Sequence, residues 1–156
     1  MDSFESKTNW RVGLMAYAPI VLWMAVIFFF SSSAGAMTET SRIIGPLLQF
    51  FFPDMPYETR QIIHGFVRKL AHFIEYAILA FLAVRALSLS APVFVRRWRY
   101  LMALVFVGVI ASIDEFNQSF EATRTGAIGD VLLDIAGGAA MISLLWLVKR
   151  PRPRST

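Results

Sequence analysis

Five acidic side chains stand inside stretches of this sequence that otherwise suit a bilayer: Glu75, Asp114, Glu115, Asp130 and Asp134. A charge at bilayer depth costs at least about 2.5–3.5 kcal/mol. Five of them cannot all face lipid, so they must meet one another, cations or a wet cavity. Helical spacing groups them. His72, Glu75 and Tyr76 share a face through i,i+3 and i,i+4 steps, and Arg68 and Lys69 extend it one turn earlier. Gln118 lies one turn beyond both Asp114 and Glu115. Asp130 and Asp134 are four apart, and Gly137 and Gly138 continue their stripe. Glycines there let a neighbouring backbone approach closely.

Three chemistries fit these residue types. Arg68, Lys69 and Arg124 suit the phosphate or carboxylate of a lipid headgroup, with Arg offering paired donors and Lys a point charge. Glu75, Asp114, Glu115 and Asp130, with His72 nearby, suit a divalent cation such as Mg²⁺ that polarises a phosphate. His72, Glu75, Asp114 and Glu115 are also candidates for general acid or base. A fourth reading is structural: interhelical ion pairs that hold a bundle together. Spacing alone does not choose among the four. No HExxH, Walker A or nucleophile-elbow pattern is present. His64 falls outside the cluster and reads as an interfacial residue, with an auxiliary ligand role as the alternative.

These side chains need helices to position them. Hydrophobic residues make up 56% of the 156, and mean hydropathy is +0.57, beyond the range of an ordinary soluble domain. With no cysteine, disulfides and Cys-based zinc or redox sites are excluded. The run 12–30 is uncharged for 19 residues, about 28 Å of helix against a core of about 30 Å. It is longer than a secretory h-region, so cleavage after Ala34-Gly35-Ala36 is the rival reading rather than the adopted one. Further spans are expected at about 68–89, 99–119 and 127–148. Only 14 residues of each of the last two are uncharged (100–113 and 135–148), about 21 Å. Their acidic residues therefore lie within the membrane or at its edge.

The fold expected is all-α: a four-helix transmembrane bundle in one domain, 1–150, followed by a basic tail, 151–156. An outer interfacial or re-entrant segment joins the first two spans, because residues 43–53 are too short to cross and Pro46 and Pro53 break them. Residues 58–73 read as a helical lead into the second span. Lys and Arg divide 10 to 5 between the two sides, which places both termini in the cytoplasm. Trp10, Trp98 and Trp146 accompany the basic clusters as interfacial anchors. Those clusters, RRWRY and KRPRPR, read as membrane-surface anchors with no nucleic-acid motif beside them. Asp114 lies 15 residues beyond Arg99, and Asp134 lies 15 before Lys149. Both then sit about 22 Å above the inner basic belt, in the outer third of the core. Glu75 falls at a similar depth.

The stretches RKLAHFIEY (68–76) and DEFNQSFEATRTGAIGDVLLDIAGG (114–138) resemble the VanZ-like family of small bacterial membrane proteins. The matching positions are Arg68, Lys69, His72, Glu75, Tyr76, Asp114, Glu115, Gln118, Phe120, Arg124, Asp130, Asp134 and Gly137. Ser31-Ser32 at the end of the first span also resembles the family's start. Ala122 departs from it, standing where proline often precedes the family's arginine. The resemblance implies a multi-pass protein of the bacterial cytoplasmic membrane with an envelope role. It also implies a link, through the protein for which the family is named, to resistance against teicoplanin, which acts on wall precursors. It supplies no reaction, and resistance does not pass to a member by kinship alone.

The function expected from residues and resemblance together is binding or handling of an anionic envelope lipid or lipid-linked cell-wall precursor headgroup. Arg68, Lys69, His72, Glu75, Tyr76, Asp114, Glu115, Gln118, Arg124, Asp130 and Asp134 would form the site. The alternatives are a metal-assisted enzyme acting on a lipid phosphate or glycolipid, a small transporter, and a structural partner protein. Transport fits least, because the cytoplasmic halves of the last two spans carry no charge.

Overall fold

The computed structural model describes residues 2–32, 37–120 and 128–149. Their order is α1 (Asp2–Ser31), α2 (Met37–Phe51), α3 (Tyr57–Ser90), α4 (Val93–Arg97), α5 (Arg99–Gln118) and α6 (Ile128–Val148). No strand occurs among them. Four helices are long and apolar enough to cross a membrane: Trp10–Ser31 of α1, and all of α3, α5 and α6. Their large apolar residues face outward. Leu22, Phe29, Leu101, Val105, Val109, Leu132 and Leu144 are all exposed, an arrangement suited to lipid rather than water.

The long α3 is the axis of the bundle. It packs most extensively on α6, then on α1 and α5, and α5 also packs on α6. Small residues make this possible. Ala80, Ala83, Ala86, Ala103 and Ala111 are fully or almost fully buried, with Tyr76, Leu79, Val84 and Val107 filling the space between them. Van der Waals packing of this kind drives helix association where lipid removes the hydrophobic incentive. The closest approach is at Gly137 of α6, where a Cβ would run into the carbonyl of Phe73 on α3.

The expected lead over 58–73 is continuous with the second span. α3 starts after Pro56 and runs unbroken for 34 residues, about 51 Å and well beyond a 30 Å core. It stops at Ala91, whose extended backbone (φ −78°, ψ 147°) is the conformation a following proline imposes.

One expectation over 43–53 does not hold. Pro46 does not break α2 but sits inside it, and only Pro53 lies beyond the helix end. A proline removes one backbone bond and crowds the Cβ of the residue before it. That residue is Gly45, which has no Cβ, and nothing lies close to its open position. At 15 residues, about 22 Å, α2 remains too short to cross a bilayer. It packs on α3 and leaves Leu47, Phe50 and Phe51 exposed.

A single indole bond ties α1 to α3 near the polar cluster: Trp23 Nε1 donates to the Glu75 carbonyl at 2.9 Å. Trp23→Phe removes the donor and keeps most of the ring. The expected loss is about 1 kcal/mol, read as a modest fall in the thermal midpoint in detergent with helicity unchanged.

Candidate functional site

The chain direction alternates between α1, α3, α5 and α6, so one end of the bundle gathers the end of α1, the first half of α3, the end of α5 and the start of α6. The polar residues meet there. Gln118 is the joint. Its Nε2 donates to Ser31 Oγ at 2.8 Å and to Asp114 Oδ2 at 3.1 Å, and its Oε1 accepts from Arg68 Nη2 at 2.9 Å. Tyr76, wholly buried, donates its hydroxyl to the same Asp114 Oδ2 at 3.3 Å. Three helices, α1, α3 and α5, are thus tied together through one amide and one carboxylate.

Across this network lies α6. His72 Nδ1 is 3.6 Å from Asp134 Oδ1, and Lys69 Nζ is 3.6 Å from Asp130 Oδ1. The two pairs differ in environment. The Lys69 side chain is 65% exposed, and such a pair contributes little to stability. Asp134, like Asp114, is 1% exposed. Asp114 Oδ1 and Asp134 Oδ1 are buried with no hydrogen-bond partner among the described residues. A buried carboxylate oxygen without a donor is costly, and the two carboxylates concerned lie close together.

Ten of the eleven expected site residues lie among the described residues. Arg68, Lys69, His72, Tyr76, Asp114, Gln118, Asp130 and Asp134 come together. Glu75 is half-buried and close enough to feel the Asp114 charge, and Glu115 is buried within the field of Asp134. Arg124 lies outside the described residues. The candidate metal ligands regroup. The ring of His72 and the carboxylates of Asp114 and Asp134 offer ligand atoms that all lie within 4.8 Å of one another. Of the four carboxylates expected to bind a cation, Asp114 belongs to this group, while Glu75, Glu115 and Asp130 fall outside it. The reason is helical pitch: Asp134 lies one turn further along α6 than Asp130, level with Asp114 and His72.

Two residues have surroundings that spacing alone does not reveal. Ser31, which closes the first apolar span and resembles the family's start, is buried and bound to Gln118. His64, expected at the interface, is buried at 6% exposure. It lies one turn before Arg68 on the stripe that holds His72, a periodicity that could have flagged it.

Two clefts reach the cluster. One, of about 90 Å³, is lined by Gly65, Arg68, Lys69, His72, Gln118, Asp130 and Leu133. Pockets for drug-sized ligands run about 300–1,000 Å³, so this one suits an ion or a single small anionic group rather than a whole lipid. The other opens between α1 and α5 and is lined by Phe28, Ser31, Ser32, Asp114 and Asn117. In comparison with known proteins, a family model described as VanZ/LLP1 matches residues 16–149. No curated protein and no solved structure matches the chain.

Proposed function

The chain belongs to the VanZ/LLP1 family of membrane proteins, and from that premise we propose that it binds the anionic headgroup of an envelope lipid or lipid-linked wall precursor at the end of its bundle. The observation that carries the reading is the chemistry of the small cleft between α3 and α6. Two cations, Arg68 and Lys69, line it beside His72. A neutral amide, Gln118, accepts the bond from Arg68, and among the described residues Arg68 forms no ion pair. The bond to a neutral amide leaves the guanidinium charge uncancelled by Gln118, so it can meet an incoming phosphate or carboxylate, with the exposed Lys69 as a second contact at the rim. The lipid's chains stay in the bilayer along the apolar outer faces of α3 and α6.

Orientation follows from the basic residues. Both termini and the α3–α5 loop are cytoplasmic, so the cleft opens toward the outer leaflet of the cytoplasmic membrane. On this reading α2 lies in the outer interface with Phe50 and Phe51 turned to lipid.

The test is binding of the full chain, in detergent, to a phosphomonoester lipid and to a zwitterionic phospholipid of equal chain length. The phosphomonoester should bind more tightly, and the preference should shrink as salt rises, because the rim cation is exposed. Lys69→Gln should weaken phosphomonoester binding by about threefold to tenfold, the scale of a partly screened ionic contact. Equal binding of the two lipids, or no effect of Lys69→Gln, overturns the reading.

A further inference from the structure

We propose that His72, Asp114 and Asp134 form a binding site for a divalent transition-metal ion, with Zn²⁺ held in preference to Mg²⁺. The site goes beyond headgroup binding and stands without it. Three separate helices deliver the three side chains, and their ligand atoms lie within 4.8 Å of one another. Ligand atoms around a tetrahedral ion at bond lengths of 2.0–2.2 Å are about 3.4 Å apart. The 3.6 Å between His72 Nδ1 and Asp134 Oδ1 is already close to that. The widest separation needs to close by about 1.4 Å at most, within the reach of side-chain rotation.

The second observation is independent of convergence. Asp114 and Asp134 are each 1% exposed, and each keeps one oxygen buried with no hydrogen bond among the described residues. Their other surroundings explain why these oxygens are held in place. Asp114 is oriented through Oδ2 by Tyr76 and Gln118, which leaves Oδ1 turned away from its own network. That is how a ligating carboxylate is normally steadied from outside the metal. Gly137, one turn beyond Asp134 on the same face, brings α6 against the backbone of α3 and so sets Asp134 beside His72.

One imidazole and two carboxylates, with room for water, form a mixed nitrogen and oxygen set. Imidazole favours Zn²⁺ and its neighbours, whereas Mg²⁺ prefers oxygen alone. The sequence sets His72 beside four carboxylates, with Mg²⁺ as the example; with only two carboxylates and an imidazole as direct ligands, a borderline ion is favoured instead. Three protein ligands leave a tetrahedral ion an open position. His72 also lines the cleft with Arg68 and Lys69, so an ion held here would lie next to the cleft, within reach of a water or an anionic oxygen there.

The experiment uses the full chain in lipid nanodiscs, purified without a polyhistidine tag, stripped with EDTA and reloaded with Zn²⁺. Desalted protein should retain stoichiometric Zn²⁺ by elemental analysis, and Zn²⁺ should raise its thermal midpoint while Mg²⁺ does not. His72→Gln and Asp134→Asn should each weaken Zn²⁺ binding by about 100-fold, the upper range for disturbing a metal site. Asp54→Asn, an exposed acidic site in the α2–α3 turn, should bind as the unaltered chain does. If Asp134→Asn fails to fold, His72→Gln alone carries the result. No retained Zn²⁺, or unchanged affinity in the folded variants, overturns the proposal. Headgroup binding that survives EDTA without Zn²⁺ retention defeats this site alone, and retained Zn²⁺ without headgroup binding defeats only the headgroup reading.

Discussion

Replacing Gly137 with alanine should destabilise the bundle by about 3 kcal/mol or more, at the upper end of the cost of overpacking. Two effects oppose each other at this position. Alanine is the better helix former by about 0.8–1.0 kcal/mol, and on an isolated helix the substitution would stabilise. In the bundle the added Cβ meets the backbone carbonyl of Phe73, which has no rotamer to escape into. Either α6 moves off α3 or α3 bends, and both loosen the most extensive helix pair in the protein. Gly138→Ala provides the contrast. Its Cβ would come within 2.9 Å of Val107 Cγ1, a side-chain methyl contact that a small shift relieves more readily than a clash with backbone, so a smaller loss of about 1–2 kcal/mol is expected. Thermal unfolding in detergent reads both. An unchanged midpoint for Gly137→Ala, or a larger fall for Gly138→Ala, contradicts the packing account. Gly137→Ala should also separate His72 from Asp134 and lose Zn²⁺ along with stability.

The second large effect is expected at Arg68. Arg68→Lys keeps the charge but loses the planar fork that can hold Gln118 Oε1 and an anion at the same time. Phosphomonoester binding should fall by about 10- to 100-fold, the equivalent of one charge-assisted hydrogen bond of 1.5–3 kcal/mol. The change at Arg68 also leaves Gln118 Oε1 without its donor at a residue only 2% exposed. Gln118→Leu removes the acceptor as well, so the double variant Arg68→Lys/Gln118→Leu should be less damaging than the sum of the two single changes. Strict additivity would show that the Arg68–Gln118 bond does not orient the guanidinium.

Several features are legible in the sequence alone. Four spans follow from length and hydropathy, because a bilayer demands about 20 apolar residues per helix. The shared level of Asp114 and Asp134 follows from counting residues back to the basic belt, since rise per residue is constant. Their convergence with His72 agrees with that count. Other features were hidden. The passage of α2 through Pro46 depends on the missing Cβ of Gly45 and on tolerance of a lost backbone bond, neither of which a breaker rule weighs. The burial of His64 and the role of Ser31 depend on which neighbours cover them, and hydropathy along one chain does not contain its neighbours.

By itself the sequence determined which residues share a stripe on each helix and how far along the helix each lies, because both follow from the fixed pitch of an α-helix. Tertiary structure decided which stripes face one another and at what offset. That choice rests on contacts between helices: Gly137 against Phe73, Gly138 against Val107, and the alanines around Tyr76. An offset of one turn separates a site built on Asp130 from one built on Asp134. Only the packing of α6 on α3 selects Asp134 as the partner of His72 and Asp114.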